Sequence, residues 1–496
     1  MMKRRQFLEG ALAALGGSLG GCGGGGSGDS NSSGATGPLP VAGDALAEGQ
    51  PLRTLAALPN ESAEAGQFSG VLVAAPALAA LVPGQATAMW LYNGIAPGPL
   101  LELREGQHVR IRLDNRLPQD TTVHWHGLPV PPEEDGNPMD PVRPGASRTY
   151  EFDVPTGTAG TYWYHPHAHQ TTAEQVARGL AGALIVRAAD DPLARLPEVT
   201  MLVSGVRLDR DAQISANNPM DWTLGRQNDV LLVNGGRLPV LTVRPGTTQR
   251  WRILNATNAR FLRLALDGHA LTLVGTDGGL LAAPIAGLSE ILVAPAQRVE
   301  VLVTVNATPN TQYRLRALRY ASESMGMGTY RDDELLTLAT SGESPTVPAV
   351  IPSALRAIAT LGTPTIRQRI ELSESMGMGM MGGGMFGFLI NGRSFDMNRV
   401  DLTTVPGRVE FWDIVNFTSM DHPIHIHGTQ FQLVSRQVAG VVTPAPHLAW
   451  LDTVNVPARQ SATIMVRQTM PGKRMFHCHI LEHEDAGMMG VLNVTG

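Results

Sequence analysis

Three stretches of the chain alternate apolar and polar residues between a glycine and an asparagine nine positions later: Gly106 and Asn115, Gly246 and Asn255, Gly407 and Asn416. Strict alternation predicts a half-buried strand, because successive side chains point to opposite faces of a sheet. Each stretch is preceded by an Asn-Gly pair, at 93–94, 234–235 and 391–392, the dipeptide that suits a two-residue hairpin turn. Further strand-like runs lie at 109–113, 183–186, 200–203, 291–294 and 299–305. The three glycines recur at intervals of 140 and 161 residues, too long for a solenoid and right for sandwiches. The pattern predicts an all-β protein of three β-sandwich domains, 60–188, 189–345 and 346–496, with little helix.

Composition agrees with this picture. The chain has 496 residues, 43% hydrophobic and 17% charged, with 55 Gly and 35 Pro, enough for several packed cores and rich in turn formers. A net charge of −6 without a basic run gives no footprint for nucleic acid. No apolar stretch is long enough to span a bilayer as a mature helix. The first residues have another character. Lys3-Arg4-Arg5-Gln6-Phe7-Leu8 resembles a twin-arginine export signal, and the apolar stretch from Ala11 ends in Leu19-Gly20-Gly21-Cys22, which resembles a lipoprotein signal box. Residues 1–22 therefore read as a signal and 23–59 as a Gly/Ser-rich tether, with an exported, periplasmic or cell-envelope protein anchored through lipid on Cys22.

Cys22 and Cys478 are the only cysteines, so a lipidated Cys22 leaves Cys478 without a disulfide partner. Its neighbours are histidines. With 14 histidines in the chain, chance gives about 0.4 His-x-His pairs. Five occur, at 124/126, 165/167, 167/169, 425/427 and 477/479, in the first and third units only. Two histidines two apart on a strand face one side, and imidazole suits copper. In the block from His477 to Met488, Cys478, His483 and Met488 provide thiolate, imidazole and thioether. With one further histidine they compose the trigonal site with a weak axial Met found in blue copper proteins. On a strand, Cys478 faces away from His477 and His479, so the tripeptide touches two sites.

His124-Trp125-His126-Gly127, Tyr164-His165-Pro166-His167, the run from His422 to Gly428 and the block from His477 to Met488 resemble, in order, the four copper signatures of the multicopper oxidases. The segment from Phe388 to Asn398 is similar to the laccase-like cuprous oxidases of bacteria. The resemblance implies three cupredoxin-like Greek-key sandwiches and four copper ions. It places His422, Cys478, His483 and Met488 on a type 1 copper, and His124 and His425 on a type 2 copper. It gives His126, His165, His167, His427, His477 and His479 to a type 3 pair. His169 falls outside this set, and His108, His269 and His447 read as structural or exposed.

The resemblance further implies one-electron oxidation of a substrate coupled to reduction of dioxygen to water, with the cluster between the first and third units and the middle unit as a spacer or a wall of the substrate side. Asp135 and Glu484 match acidic residues that the family places near the cluster as proton carriers, and Asp452 a residue that supports a ligand from behind. The substrate reading rests on Met325, Met327, Met376, Met378, Met380, Met381 and Met385, in two Gly-rich stretches, and on Met420. Thioethers select Cu(I), which points to cuprous ion, with phenols or aromatic amines also accepted, and to a role in copper tolerance. Thr418 stands where that branch has an acid. A broad laccase is the enzymatic alternative, and a scaffold that has lost copper is the alternative of another class; the complete ligand set speaks against the latter. No partner beyond dioxygen and a small reductant is expected, and the chain is expected to be a monomer.

Overall fold

The computed structural model describes residues 43–227, 230–320, 331–376 and 386–496, the side chains of 44, 376 and 386 apart. The three alternating stretches form the strands His108–Asn115, Thr248–Asn255 and Val409–Asn416. Gly106, Gly246 and Gly407 open them at φ +74°, +77° and +77°, a conformation in which a side chain is strained. The asparagines that close them repeat one buried device. Asn115 Nδ2 donates to the carbonyls of Gln119 and Val142, Asn255 Nδ2 to those of Arg260 and Val293, and Asn416 Nδ2 to those of Met420 and Val456. Each Oδ1 accepts the amide two residues on. In the third unit the loop so pinned leads directly to His422. Asn416→Ala removes hydrogen bonds to three carbonyls and one amide, so it is expected to cost about 3 kcal/mol, read as a lower denaturant midpoint with an unchanged slope.

Each of these strands is the parallel neighbour of an earlier one and the antiparallel neighbour of a later one: Gln67–Val82 and Ser147–Asp153, Glu198–Val206 and Arg298–Thr304, Ile366–Met376 and Ser461–Arg467. The recurrent pairing builds three cupredoxin-like β-sandwiches. The first has a four-stranded sheet and a three-stranded one, the second a five- and a six-stranded sheet, the third a six- and a five-stranded sheet. Each encloses its own apolar core, around Trp125, Trp251 and Trp412 respectively. The five-stranded sheet of the third sandwich, ordered Leu402–Thr404, Met489–Val494, Gly472–Cys478, His422–Ile426, Thr453–Val456, carries most of the third unit's functional residues.

Among the described residues the α-helices are three, of five or six residues each, and none is long and apolar enough to cross a membrane. One expectation changes. The described part of the 23–59 tether is not free chain: Leu46, Leu55 and Leu58 are buried, and residues 48, 51 and 57 bridge to Arg237, Val240 and Leu100. Leucines in a Gly/Ser-poor stretch have apolar area to bury, and here it lies against the first and second sandwiches.

Candidate metal centre

Strand parity sorts the third unit's donors. His422–Ile426 pairs antiparallel with Gly472–Cys478, with Ile424 opposite Cys478 and His425 opposite His477. Opposed residues share a face. His422, Ile424, Ile426 and Cys478 therefore look into the third core, while His425, His427, His477 and His479 look toward the first sandwich. The first-unit pairs are held differently. His124 and His165 exchange backbone hydrogen bonds, at 2.8 and 3.2 Å, in an isolated bridge beyond the strand ends; Pro166 has no N–H to extend a ladder.

These elements bring together eight histidines, four from each sandwich: His124, His126, His165, His167, His425, His427, His477 and His479, each at most 1% exposed. Except at His479, their outward nitrogens meet oxygens. Asp135 accepts from Nδ1 of both His124 and His427 at 3.0 Å; the carbonyls of Asp452, Pro166 and Cys478 accept from Nδ1 of His425, His165 and His477 at 2.8, 2.8 and 3.0 Å. His126 is reversed, with Nε2 donating to Asp452 Oδ1 at 3.1 Å. Such bonds fix tautomers and aim the other nitrogen inward. Inward, Nε2 of His477 lies 3.1 Å from Nε2 of both His167 and His427, and Nε2 of His124 lies 3.3 Å from Nε2 of His425.

Burial, then repulsion among neighbouring rings, holds His126, His165, His427 and His479 well below the ordinary histidine range. Burial also takes His167 and His477 to about 3 and His425 to about 4. These rings are neutral at pH 7, so lone pairs face lone pairs across about 3 Å, an arrangement that repels unless a cation lies among them. Both nitrogens of His479 are buried without a hydrogen-bond partner. The donor set fits metal ions.

A second set lies on the other face. Nδ1 of His422 and of His483 are 3.4 and 3.9 Å from Cys478 Sγ, and Met488 is buried in the same apolar cluster. The outward nitrogens are again occupied: His422 Nε2 is 2.8 Å from Thr418 Oγ1, and His483 Nε2 donates to the Thr223 carbonyl at 3.1 Å. Phe388 stacks on His483 at 3.7 Å between ring centroids. Burial pushes the Cys478 thiol up and takes His422 to about 3, so an ion bound here would have to favour the thiolate. Thr418 thus orients a candidate ligand.

Glu484 lies under the eight-histidine cluster, with Oε1 3.5 Å from His167 Nδ1 and Oε2 3.2 Å from His477 Nδ1; burial raises its pKa. His169 is half-buried against Phe395, outside the cluster. His108 pairs with Asp153 and Glu151, and His269 bridges the Asp267 carbonyl and the Asn306 amide. Met420 is half-buried beside the third core. Cys22, Met325, Met327, Met378, Met380, Met381, Met385 and the Met376 side chain lie outside the described residues.

The middle unit is more than a spacer. Besides the Thr223 carbonyl it contributes Arg298, wholly buried, whose Nη1 donates to Asp452 Oδ1 at 2.8 Å, and Asp277, which accepts the Arg298 amide at 2.8 Å. No motif in the sequence marks these residues. They act singly, from more than a hundred positions away.

Known proteins share this architecture. Models of the multicopper oxidase family match residues 77–191, 204–332 and 367–496. A solved multicopper oxidase of Campylobacter jejuni, described as a metallo-oxidase, is 39% identical with a TM-score of 0.87, covering 93% of this chain and 98% of its own. The multicopper oxidase of Staphylococcus aureus is 33% identical over 82% of this chain and 83% of its own. A cell division protein, FtsP of Xenorhabdus nematophila, is 30% identical over 82% of this chain and 85% of its own. The chain belongs to the multicopper oxidase family, copper-binding oxidoreductases that use oxygen.

Proposed function

We propose that the protein is an exported oxidase of cuprous ion that reduces dioxygen to water and serves copper tolerance, with some activity on phenols or aromatic amines. The observation that carries the oxidase reading is the tripeptide 477–479: Cys478 lies with one buried donor set, His477 with the other, and the buried His479 ring packs with centroid distances of 4.8 and 5.3 Å against His126 and His165 of that second set. His422, Cys478, His483 and Met488 would hold a type 1 copper, and His124 and His425 a type 2 copper. Of the type 3 pair, one ion would fall to His126, His165 and His479, the other to His167, His427 and His477. Bound copper supplies one-electron acceptors and the centre at which oxygen is reduced.

The chain's own residues do the rest. The backbone from His477 to His479 is a covalent path for electrons between the two sets. Glu484 is placed to carry protons toward the His167 and His477 side, and Asp135 orients His124 and His427 and can do the same on theirs. The Gly-rich methionine stretches offer soft donors to Cu(I) substrate, and the similar protein of Campylobacter jejuni is described as a metallo-oxidase. Residues 1–22 would direct export and Cys22 would carry a lipid anchor, the folded part acting as a monomer in the cell envelope.

Oxygen uptake by the copper-loaded protein, measured side by side with Cu(I), Fe(II) and a phenol, tests the substrate. Cu(I) is expected to be the fastest. Deleting residues 377–385, which spares the strand Ile366–Met376, is expected to lower Cu(I) oxidation while phenol oxidation is retained or rises; unchanged Cu(I) kinetics would leave a broad laccase. The relative named as a cell division protein raises the scaffold reading. That reading requires a copper-loaded protein with no visible absorption and no oxygen uptake on any reductant.

A further inference from the structure

Two openings adjoin between the first and second sandwiches, away from the donor sets. The larger, about 510 Å³, reaches the surface at Leu78, which is 75% exposed, and includes Leu55 in its wall. The smaller, about 40 Å³, lies deeper. They share Leu81, Ala96, Pro97, Leu232 and Gly235 as a common wall. Three residues lining the smaller one, Ala181, Leu202 and Ala256, belong to a buried apolar cluster that also contains Leu55 and Trp163. Trp163 completes the connection. It is wholly buried, and its ring centroid lies 4.1 Å from that of His165, 5.2 Å from that of His126 and 5.5 Å from that of His479. Its Nε1–H has no acceptor, and neither nitrogen of His479 has a partner. One apolar layer and one indole therefore separate the inner opening from one corner of the cluster.

The lining decides what this space suits. Small apolar cavities stay dry and take up apolar gases such as xenon, and 40 Å³ excludes an aromatic reductant. Arg53, Arg237, Gln50 and Asn234 stand among the lining residues of the larger opening, whereas the smaller one is lined by apolar side chains and glycines with Ser204, so a charged substrate or a proton would lack the polar groups it needs to go further. Such groups line a different opening of about 280 Å³, where Glu174, Arg178, Asn217, Arg226 and Asp485 converge. We propose that dioxygen reaches the cluster between the first and second sandwiches, pausing in the apolar inner cavity and passing Trp163 to the corner formed by His126, His165 and His479. The inference rests on the reading that this cluster reduces dioxygen.

The test uses the copper-loaded full chain. Ala256→Leu fills the inner cavity from the second sandwich, and Ala177→Leu narrows it from a short helix of the first; neither residue belongs to a donor set. Each variant is expected to raise the KM for dioxygen several-fold, with kcat at saturating oxygen, copper content and visible absorption unchanged. Unchanged KM for dioxygen in a variant that melts like the parent would overturn the proposal. Overpacking can destabilise; should neither variant fold, crystals of the unmodified holoenzyme under xenon decide. Xenon in the inner cavity supports the passage, and its absence there overturns it. Failure of the underlying reading shows itself separately, as no oxygen uptake by the unmodified enzyme.

Discussion

Cys478→Ser is expected to remove the intense visible absorption of the copper-loaded protein and to lower oxygen uptake by roughly 100-fold or more, since even groups that only support a metal ligand cost 10–100-fold when lost. The argument begins with the strand. Gly472–Cys478 presents Cys478 to the third core, where Sγ lies 3.4 Å from His422 Nδ1 and 3.9 Å from His483 Nδ1 and accepts the Ile480 amide at 3.4 Å. The site is dry, with Cys478 wholly buried. A soft cation held by these groups would favour the thiolate over the thiol. Serine keeps the shape and offers a hard oxygen that stays protonated. The eight-histidine cluster lies on the opposite face and should keep its copper, so metal analysis should find one ion fewer per chain. A variant that stays blue would refute the assignment of Cys478 to the type 1 site. Thermal stability should stay near that of the parent, because serine is close in volume and the Ile480 amide retains an acceptor.

The clustering of the histidines and of Cys478 was legible in the chain because they come in short spacings that a strand converts directly into shared faces. The three sandwiches were legible for a related reason: the glycine-to-asparagine stretches combine an alternating pattern with two residues whose conformations and hydrogen bonds are recurrent. Placement of His422 opposite in sense to His425 needed the strand register, since three residues apart on a strand means opposite faces. Thr418 was read only as an absent acid, and its bond to His422 became visible with the fold. Gly127, the last residue of the first signature, gains a reason as well. At φ +86° a Cβ there would collide with the Asp452 carboxylate and the Arg298 guanidinium, so the signature ends in glycine to make room for groups from two other sandwiches.

Arg298 itself was not legible. It lies on Arg298–Thr304, a strand of the middle sandwich, and nothing in its neighbourhood suggests metal chemistry. Arg298→Met is expected to lower stability by about 3–5 kcal/mol, the scale for breaking a buried ion pair by removing one partner. It should also reduce copper at the eight-histidine cluster while sparing the visible absorption. The guanidinium donates to Asp452 Oδ1 at 2.8 Å and to the Thr161 carbonyl at 2.8 Å, linking all three sandwiches. Burial alone would raise the Asp452 pKa, but Arg298 pulls it well below the usual carboxylate range.

That ionised carboxylate accepts from His126 Nε2, and the Asp452 carbonyl accepts from His425 Nδ1. Without Arg298 a buried, unpaired Asp452 would take up a proton. The neighbouring Asp277, which burial moves up to about 7, supplies no positive charge that could keep Asp452 ionised. His126 would then lose the ionised acceptor that fixes its ring, and His425, whose Nδ1 lies 3.6 Å from the same carboxylate oxygen, would lose a neighbouring negative charge, with a cost in cluster affinity of about 10–100-fold. The sulfur-containing site rests on Thr418 and the Thr223 carbonyl instead, which is why its absorption should persist. Arg298→Lys keeps the charge without the planar fork, so partial recovery of copper at the cluster is expected, read from the electron paramagnetic resonance of the type 2 ion. A methionine variant with full cluster occupancy would mean that Asp452 holds His126 unaided, and the middle sandwich would return to being a spacer.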